Sequence, residues 1–170
     1  MEHMVRRIVT GHDAQGRSVF LEDSTTPMKG VLHEVWVTRS TPAQFGGQPD
    51  LGSLPVDLEP PKSGTIVRFV QLPPTSGMNR EDLEALYAKA FEDIHASHTR
   101  VDTSRHPAMH KTQSVDYGIL LSGEVTLLLD VGERKLKPFD IVIQRGTNHG
   151  WVNHGTEPAL IAFILIDGKE

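Results

Sequence analysis

The chain has 170 residues, enough for one domain with a real core and marginal for two. Its 15 glycines, 11 prolines and low aromatic share of 6% suit short strands joined by tight turns, so an all-β fold is expected. A formal net charge of -5 with no long basic stretch argues against nucleic acid and anionic membrane as partners, while the absence of cysteine excludes disulfides, thiolate catalysis and cysteine-held metals.

Residues 1–10 lack a hydrophobic signal core, and no apolar run approaches the ~20 residues that span a bilayer, so the expected location is cytoplasmic. Residues 5–10 and 17–22 are strand-like and flank a turn holding Gly11, Asp13 and Gly16, which makes residues 1–31 a hairpin arm. Such an arm leaves free sheet edges, and it is expected to pair with a second copy as a homodimer. Residues 31–38 and 64–72 are rich in strand formers; in the latter Ile66, Arg68 and Val70 share one face and Val67, Phe69 and Gln71 the other. Between these two strands, residues 40–63 carry Gly46, Gly47, Pro49, Pro55, Pro60 and Pro61, and the sequence leaves open whether this long loop is a lid or a mobile excursion.

The helix signal spans 79–95. Asn79 caps it with Asp82 three residues on, and Leu83, Leu86, Tyr87, Phe91 and Ile94 follow at helical spacing. This peripheral amphipathic helix is expected to pack on the outside or an open end of a barrel, or on a dimer partner. His95 and His98 read as charges favourable near its C-terminus. From Ser114 the chain turns to closely spaced strands at 115–121, 125–130, 140–144, 149–153 and 159–166, with no internal repeat.

Chemistry is expected in the last third. Residues at i and i+2 of a strand share a face, so His110 and Thr112 converge on one interior point, and His149 enters from a distant segment when the barrel closes. His110, Thr112, Asp116 and Gly123, followed by Pro138, Phe139 and Asp140 and then Gly146, His149 and Asn153, resemble the two motifs of the cupin superfamily over roughly residues 109–166. The resemblance implies a single-domain double-stranded β-helix, a jelly-roll or cupin barrel, spanning residues 1–170. It also implies a divalent metal (Fe, Mn or Zn) held by His110, Asp116 and His149, with Thr112 standing where the family has a second histidine and Asp116 where it has a glutamate. His106 is a nearby replacement ligand or proton carrier. Asp116 has an equal reading as a strand carboxylate hydrogen-bonded to a turn.

The substrate pocket is expected to include Thr112, Arg145 and Trp151, with Tyr117 and His106 as catalytic proton carriers. Trp36 is read mainly as packing, and His12, His33 and His154 show no partner pattern. These residues point to a small-molecule enzyme acting on an organic acid or carbonyl compound, with a lyase (decarboxylase or dehydratase) as the leading reading. A non-haem iron dioxygenase and a metal-free metabolite-binding module are the alternatives. No Gly-x-Ser-x-Gly, Walker-type or Gly-x-Gly-x-x-Gly motif is present, so hydrolase elbows and phosphate cradles find no support.

Overall fold

A computed structural model describes residues 5–26, 28–47 and 55–169. Alternating side chains build antiparallel strands throughout: β1 (Arg6–His12), β2 (Ser18–Thr25), β3 (Met28–Lys29), β4 (Leu32–Thr38), β5 (Thr65–Leu72), β6 (Ser114–Ser122), β7 (Val125–Leu129), β8 (Glu133–Leu136), β9 (Ile141–Arg145), β10 (His149–Val152) and β11 (Ala159–Asp167). A six-stranded sheet runs β3-β4-β5-β11-β6-β9, and a three-stranded sheet runs β10-β7-β8. The jelly-roll expectation holds as a mostly β fold with one helix. Among the described residues no helix is long and apolar enough to cross a membrane.

The core follows from strand periodicity. Leu120 of β6 and Ile161 of β11 meet Val125 and Leu127 of β7 and Trp151 of β10 in one buried cluster between the two sheets. On β7 and β10 the alternate residues Leu128 and Val152 face the other way, where they pack with Ala108, Met109 and the helix α1 (Arg80–Asp93). The Asn79 side chain accepts from the Asp82 amide as the cap signal required, and Tyr87 and Phe91 are buried. Leu86 is 40% exposed because it lies on the flank of the stripe formed by Leu83, Tyr87, Phe91 and Ile94. The helix stops before His95, whose φ is +53°.

The sequence overlooked β3, which is only two residues long, and β8, whose Glu-Arg-Lys-Leu lacks apolar alternation. β1 and β2 form a separate two-stranded sheet, whereas β3 joins the edge of the main sheet, so the arm ends before residue 28. Arg7 ties the arm to β4 by donating to the Val35 carbonyl at 3.2 Å.

The long loop is an anchored wall where it is described. Pro49 and the rest of residues 48–54 lie outside the described residues, but Leu58 N–H donates to the Ile94 carbonyl and Glu59 accepts from the Gln113 amide. His95 and His98 lie 2.9 Å from carboxylate oxygens of Asp57 and Glu59. Their role is therefore to hold this strap, beyond any interaction with the helix end.

Gly123 makes the β6–β7 turn at φ +81°, and a Cβ there would come within 2.8 Å of the Ala159 Cα. Gly123→Ala is expected to lose roughly 1–2 kcal/mol from the left-handed backbone alone, with the overlap adding to it. Urea unfolding checks this, and a variant as stable as the wild type contradicts it.

Candidate active site

Two distant segments meet through a short β-bridge. His110 N–H donates to the His149 carbonyl at 2.8 Å and His149 N–H returns the bond at 2.9 Å. The two rings stand side by side, centroids 4.3 Å apart and tilted by 49°. Phe91 of α1 lies 4.8 Å from the His110 ring, and Trp151 lies 6.1 Å from the His149 ring.

Both imidazoles have one nitrogen assigned by geometry. His110 Nδ1 is 2.9 Å from the Ala108 carbonyl and His149 Nδ1 is 2.9 Å from the Thr147 carbonyl, so each Nδ1 carries the hydrogen and each Nε2 keeps its lone pair. Burial pushes His110 down to about 4, against an ordinary value of 6.5. His149, only 2% exposed, is pushed down to about 3 by burial and by the neighbouring imidazole. At neutral pH the pair is uncharged.

β6 presents Asp116 to the same cavity. Its carboxyl, 5% exposed, is pushed up to about 6 by burial, opposed by hydrogen bonds from Ser114 and Thr112 and by the charge of Arg68. Asp116 Oδ1 is buried without a hydrogen-bond partner. Arg68 itself, 2% exposed, reaches inward from β5. Its Nε lies 3.0 Å from Glu34 Oε1, and its two terminal nitrogens donate to the carbonyls of Asp57 at 2.6 Å and Leu58 at 3.4 Å. Burial raises the Glu34 carboxyl above its usual range, with Arg68 opposing. Removing one partner of such a pair leaves an uncompensated buried charge, at a cost of about 3–5 kcal/mol.

The cavity lined by these elements has a volume of about 160 Å³. His110, His149, Thr112, Asp116 and Arg68 form its polar side, and Phe91, Trp151, Phe163 and aliphatic side chains form the rest. Of the residues expected from sequence, His110, Thr112, Asp116, His149 and Trp151 are brought together here.

Three of the expected residues lie outside this cavity. Tyr117 is 37% exposed and points to the opposite face of β6, because neighbours on a strand alternate and Asp116 already faces inward. Arg145 is exposed at the end of β9, after the buried Gln144, and lines a separate surface recess with Lys111 and Gln113. His106 packs edge-on against Tyr87 and accepts the Ala108 amide through Nδ1, so it does not line the cavity. His110, Asp116 and His149 line one cavity, while among the described residues no three His, Cys, Asp or Glu side chains form a group able to hold an ion. Two neutral imidazoles alone fall short of the three protein ligands of a catalytic zinc or facial-triad iron site.

Sequence reasoning missed Arg68, Glu34 and the strap residue Leu58. A guanidinium between Ile66 and Val70 on an inward face was the available signal for the first. Glu34 carried no signal apart from it, and Leu58 lay in a loop without periodicity.

No protein-family model matches the chain. Among curated proteins it is 29% identical over 177 residues to the cupin-domain-containing oxidoreductase fogC of Aspergillus ruber, with 96% of this chain and 72% of that protein covered. It is 30% identical over 177 residues to the phomopsin biosynthesis cluster protein C' of Diaporthe leptostromiformis, covering 96% of this chain and 78% of that protein. Among solved structures, a Cupin 2 conserved barrel domain protein from Salinispora arenicola aligns at 12% identity and a TM-score of 0.40, over 84% of this chain and 81% of that one. That likeness is shallow.

The buried titrating groups make stability depend on pH. Each imidazole is protonated in the unfolded chain below 6.5 but stays neutral in the folded chain down to about 4 (His110) or 3 (His149), so its contribution is present above pH 6.5 and lost on acidification. Asp116 opposes this: with 3.8 unfolded and about 6 folded, its contribution is present below 3.8 and lost as pH rises through 6. Between pH 6 and 5 the two imidazoles outweigh the carboxyl by about one proton, so stability is expected to fall by about 1.4 kcal/mol over that unit. Urea unfolding of wild type and His149→Gln should show this slope and its near disappearance in the variant. A wild type whose stability is flat or rises on acidification contradicts a neutral pair.

Proposed function

The chain belongs to the cupin superfamily, and we propose that it is a cupin-type enzyme that moves protons on a small organic hydroxy or carbonyl compound, a lyase-type reaction such as dehydration. One observation carries this reading: a carboxyl near 6 and two neutral imidazoles with free Nε2 atoms line one buried cavity. A proton-transfer group works best when its pKa lies near the working pH, which suits Asp116 better than either imidazole.

In this reading Asp116, ionised at neutral pH, takes the proton from the carbon beside a carbonyl. The electron pair of that C–H bond forms the new C=C bond as the neighbouring C–O bond breaks, and the proton on Asp116 goes to the departing oxygen, so water leaves and the carboxylate is restored. The Nε2 atoms of His110 and His149 accept hydrogen bonds from the substrate and orient it. Phe91, Trp151 and Leu58 wall the site against bulk water.

The oxidoreductase name of the Aspergillus ruber relative favours a second reading, in which the same cavity is the substrate site of an oxidation–reduction reaction. A non-haem iron dioxygenase would need a third protein ligand beside His110 and His149, and among the described residues no three His, Cys, Asp or Glu side chains form a group able to hold an ion.

The test is proton chemistry itself, followed by NMR in deuterium oxide with a panel of small β-hydroxycarbonyl compounds. Wild-type protein is expected to exchange α-protons or eliminate water, at a rate that rises with pH through about 6 as Asp116 ionises. Asp116→Asn should be slower by about 10²–10⁴-fold. Equal rates in both proteins, or no exchange with any compound, overturn the reading.

A further inference from the structure

The six-stranded sheet is apolar on two faces, and among the described residues only one of them is buried. Alternation along the strands sends Arg68, Asp116, Leu120 and Ile161 inward, to the cavity and the core. Their neighbours face outward, and the strand register sets them side by side. Trp36, Val67, Ile164, Tyr117 and Ile143 form one row across β4, β5, β11, β6 and β9. Phe69, Ala162, Ile119 and Ile141 form the next row. None of these side chains is buried, and Ile141 and Ile143 on the border strand β9 are 61% and 54% exposed. An antiparallel sheet with one face in water alternates apolar with polar residues, so apolar residues on both faces mark a sheet that is covered on both sides.

The character of the face selects what covers it. Neither row contains an aspartate, glutamate, lysine or arginine, so a nucleic acid or a charged segment of another protein finds no ionic counterpart there. A second copy of the same rows does match. A two-fold interface joins one patch to itself, which like charges would oppose and an uncharged apolar patch favours. The area agrees: strands about 4.8 Å apart from β4 to β9, about seven residues long, present about 450 Å² in projection before side-chain relief is counted. A stable interface takes about 800 Å² of accessible surface from each partner, so the face supplies the larger part. The arm is placed to supply the rest. β1 and β2 carry no buried side chain, although a hairpin that packs on nothing is marginal in water. The arm borders the same sheet, where Arg7 donates to the Val35 carbonyl of β4, and it exposes Ile8, Phe20 and Leu21.

We propose that the chain is a homodimer in which the outward face of the six-stranded sheet, centred on Tyr117, Ile143 and Ile164, packs against the same face of a second copy, with the β1–β2 arm closing its border. The sequence expects the arm to make the dimer; the sheet face is the larger contact, and the arm adds to it. The strands that carry Arg68 and Asp116 inward carry Val67 and Tyr117 outward, so the dimer contact lies directly behind the cavity.

Analytical ultracentrifugation of the purified full chain tests it, with Tyr117→Lys and Ile143→Lys as separate variants. The wild type is expected at twice the chain mass of 18.8 kDa. Each substitution sets a charge against its own symmetry mate inside a desolvated contact, so each should weaken the dimer by about a hundredfold or more and leave monomers. Both positions are exposed in the single chain, so circular dichroism and a thermal melt should show each variant folded, and Ile141→Lys replaces either one that is not. Phe20→Ser in the arm should weaken the dimer by about tenfold. A wild type that stays monomeric at about 100 µM overturns the proposal, since the expected contact is of standard size. A dimer that either folded face variant leaves intact also overturns it. A dimer that the face variants dissociate but Phe20→Ser leaves unchanged supports the face and overturns the share given to the arm.

Discussion

Two backbone hydrogen bonds between His110 and His149 set the geometry on which the site depends. They fasten the segment after the helix to the first residue of β10, and so put both rings on one wall. The same attachment seats Ala108 and Met109 against Leu128 and Val152, where Tyr87 and Phe91 of α1 complete the cluster. Burial of the rings then follows, and with it their neutrality, because charging an imbedded imidazole carries a desolvation cost that the carbonyls of Ala108 and Thr147 only partly offset.

Arg68 is the buried cation of the cavity's polar side. It compensates Glu34, lowers the cost of an ionised Asp116, and reaches through to the strap carbonyls of Asp57 and Leu58. One buried guanidinium therefore links the charge balance of the interior to the closure of its mouth. Replacing it would affect both, which is why its contribution is better described as positioning than as catalysis. The result is a cavity with an apolar body and an acceptor-rich end, an environment in which proton transfer has groups of well-separated basicity available.

Much of this was legible in the sequence because the signals were periodic or spaced. The strands from Ser114 onward and the helix cap at Asn79 came from local patterns, and His110, Asp116 and His149 came from the spacing of two motifs. What failed did so for stated physical reasons. Tyr117 was expected in the site as a proton carrier, although strand alternation turns it to the face opposite Asp116. Arg145 failed by the same rule beside Gln144. Whether His110, Asp116 and His149 come within reach of one ion is a question of tertiary distance, and spacing along the chain carries no such information. The strap was illegible because Pro55, Pro60 and Pro61 indicate only irregular backbone, whereas its attachment to His95, His98 and Arg68 is tertiary.

The claim on which the account turns is that both imidazoles are neutral Nδ1–H tautomers with Nε2 free. Nitrogen-15 NMR of histidine-labelled protein, with His110→Gln and His149→Gln used for assignment, measures this directly. The account requires unprotonated Nε2 and protonated Nδ1 signals for both residues, unchanged from pH 7 down to pH 5. Protonated Nε2 in either ring, or titration of either ring near 6.5, would contradict it.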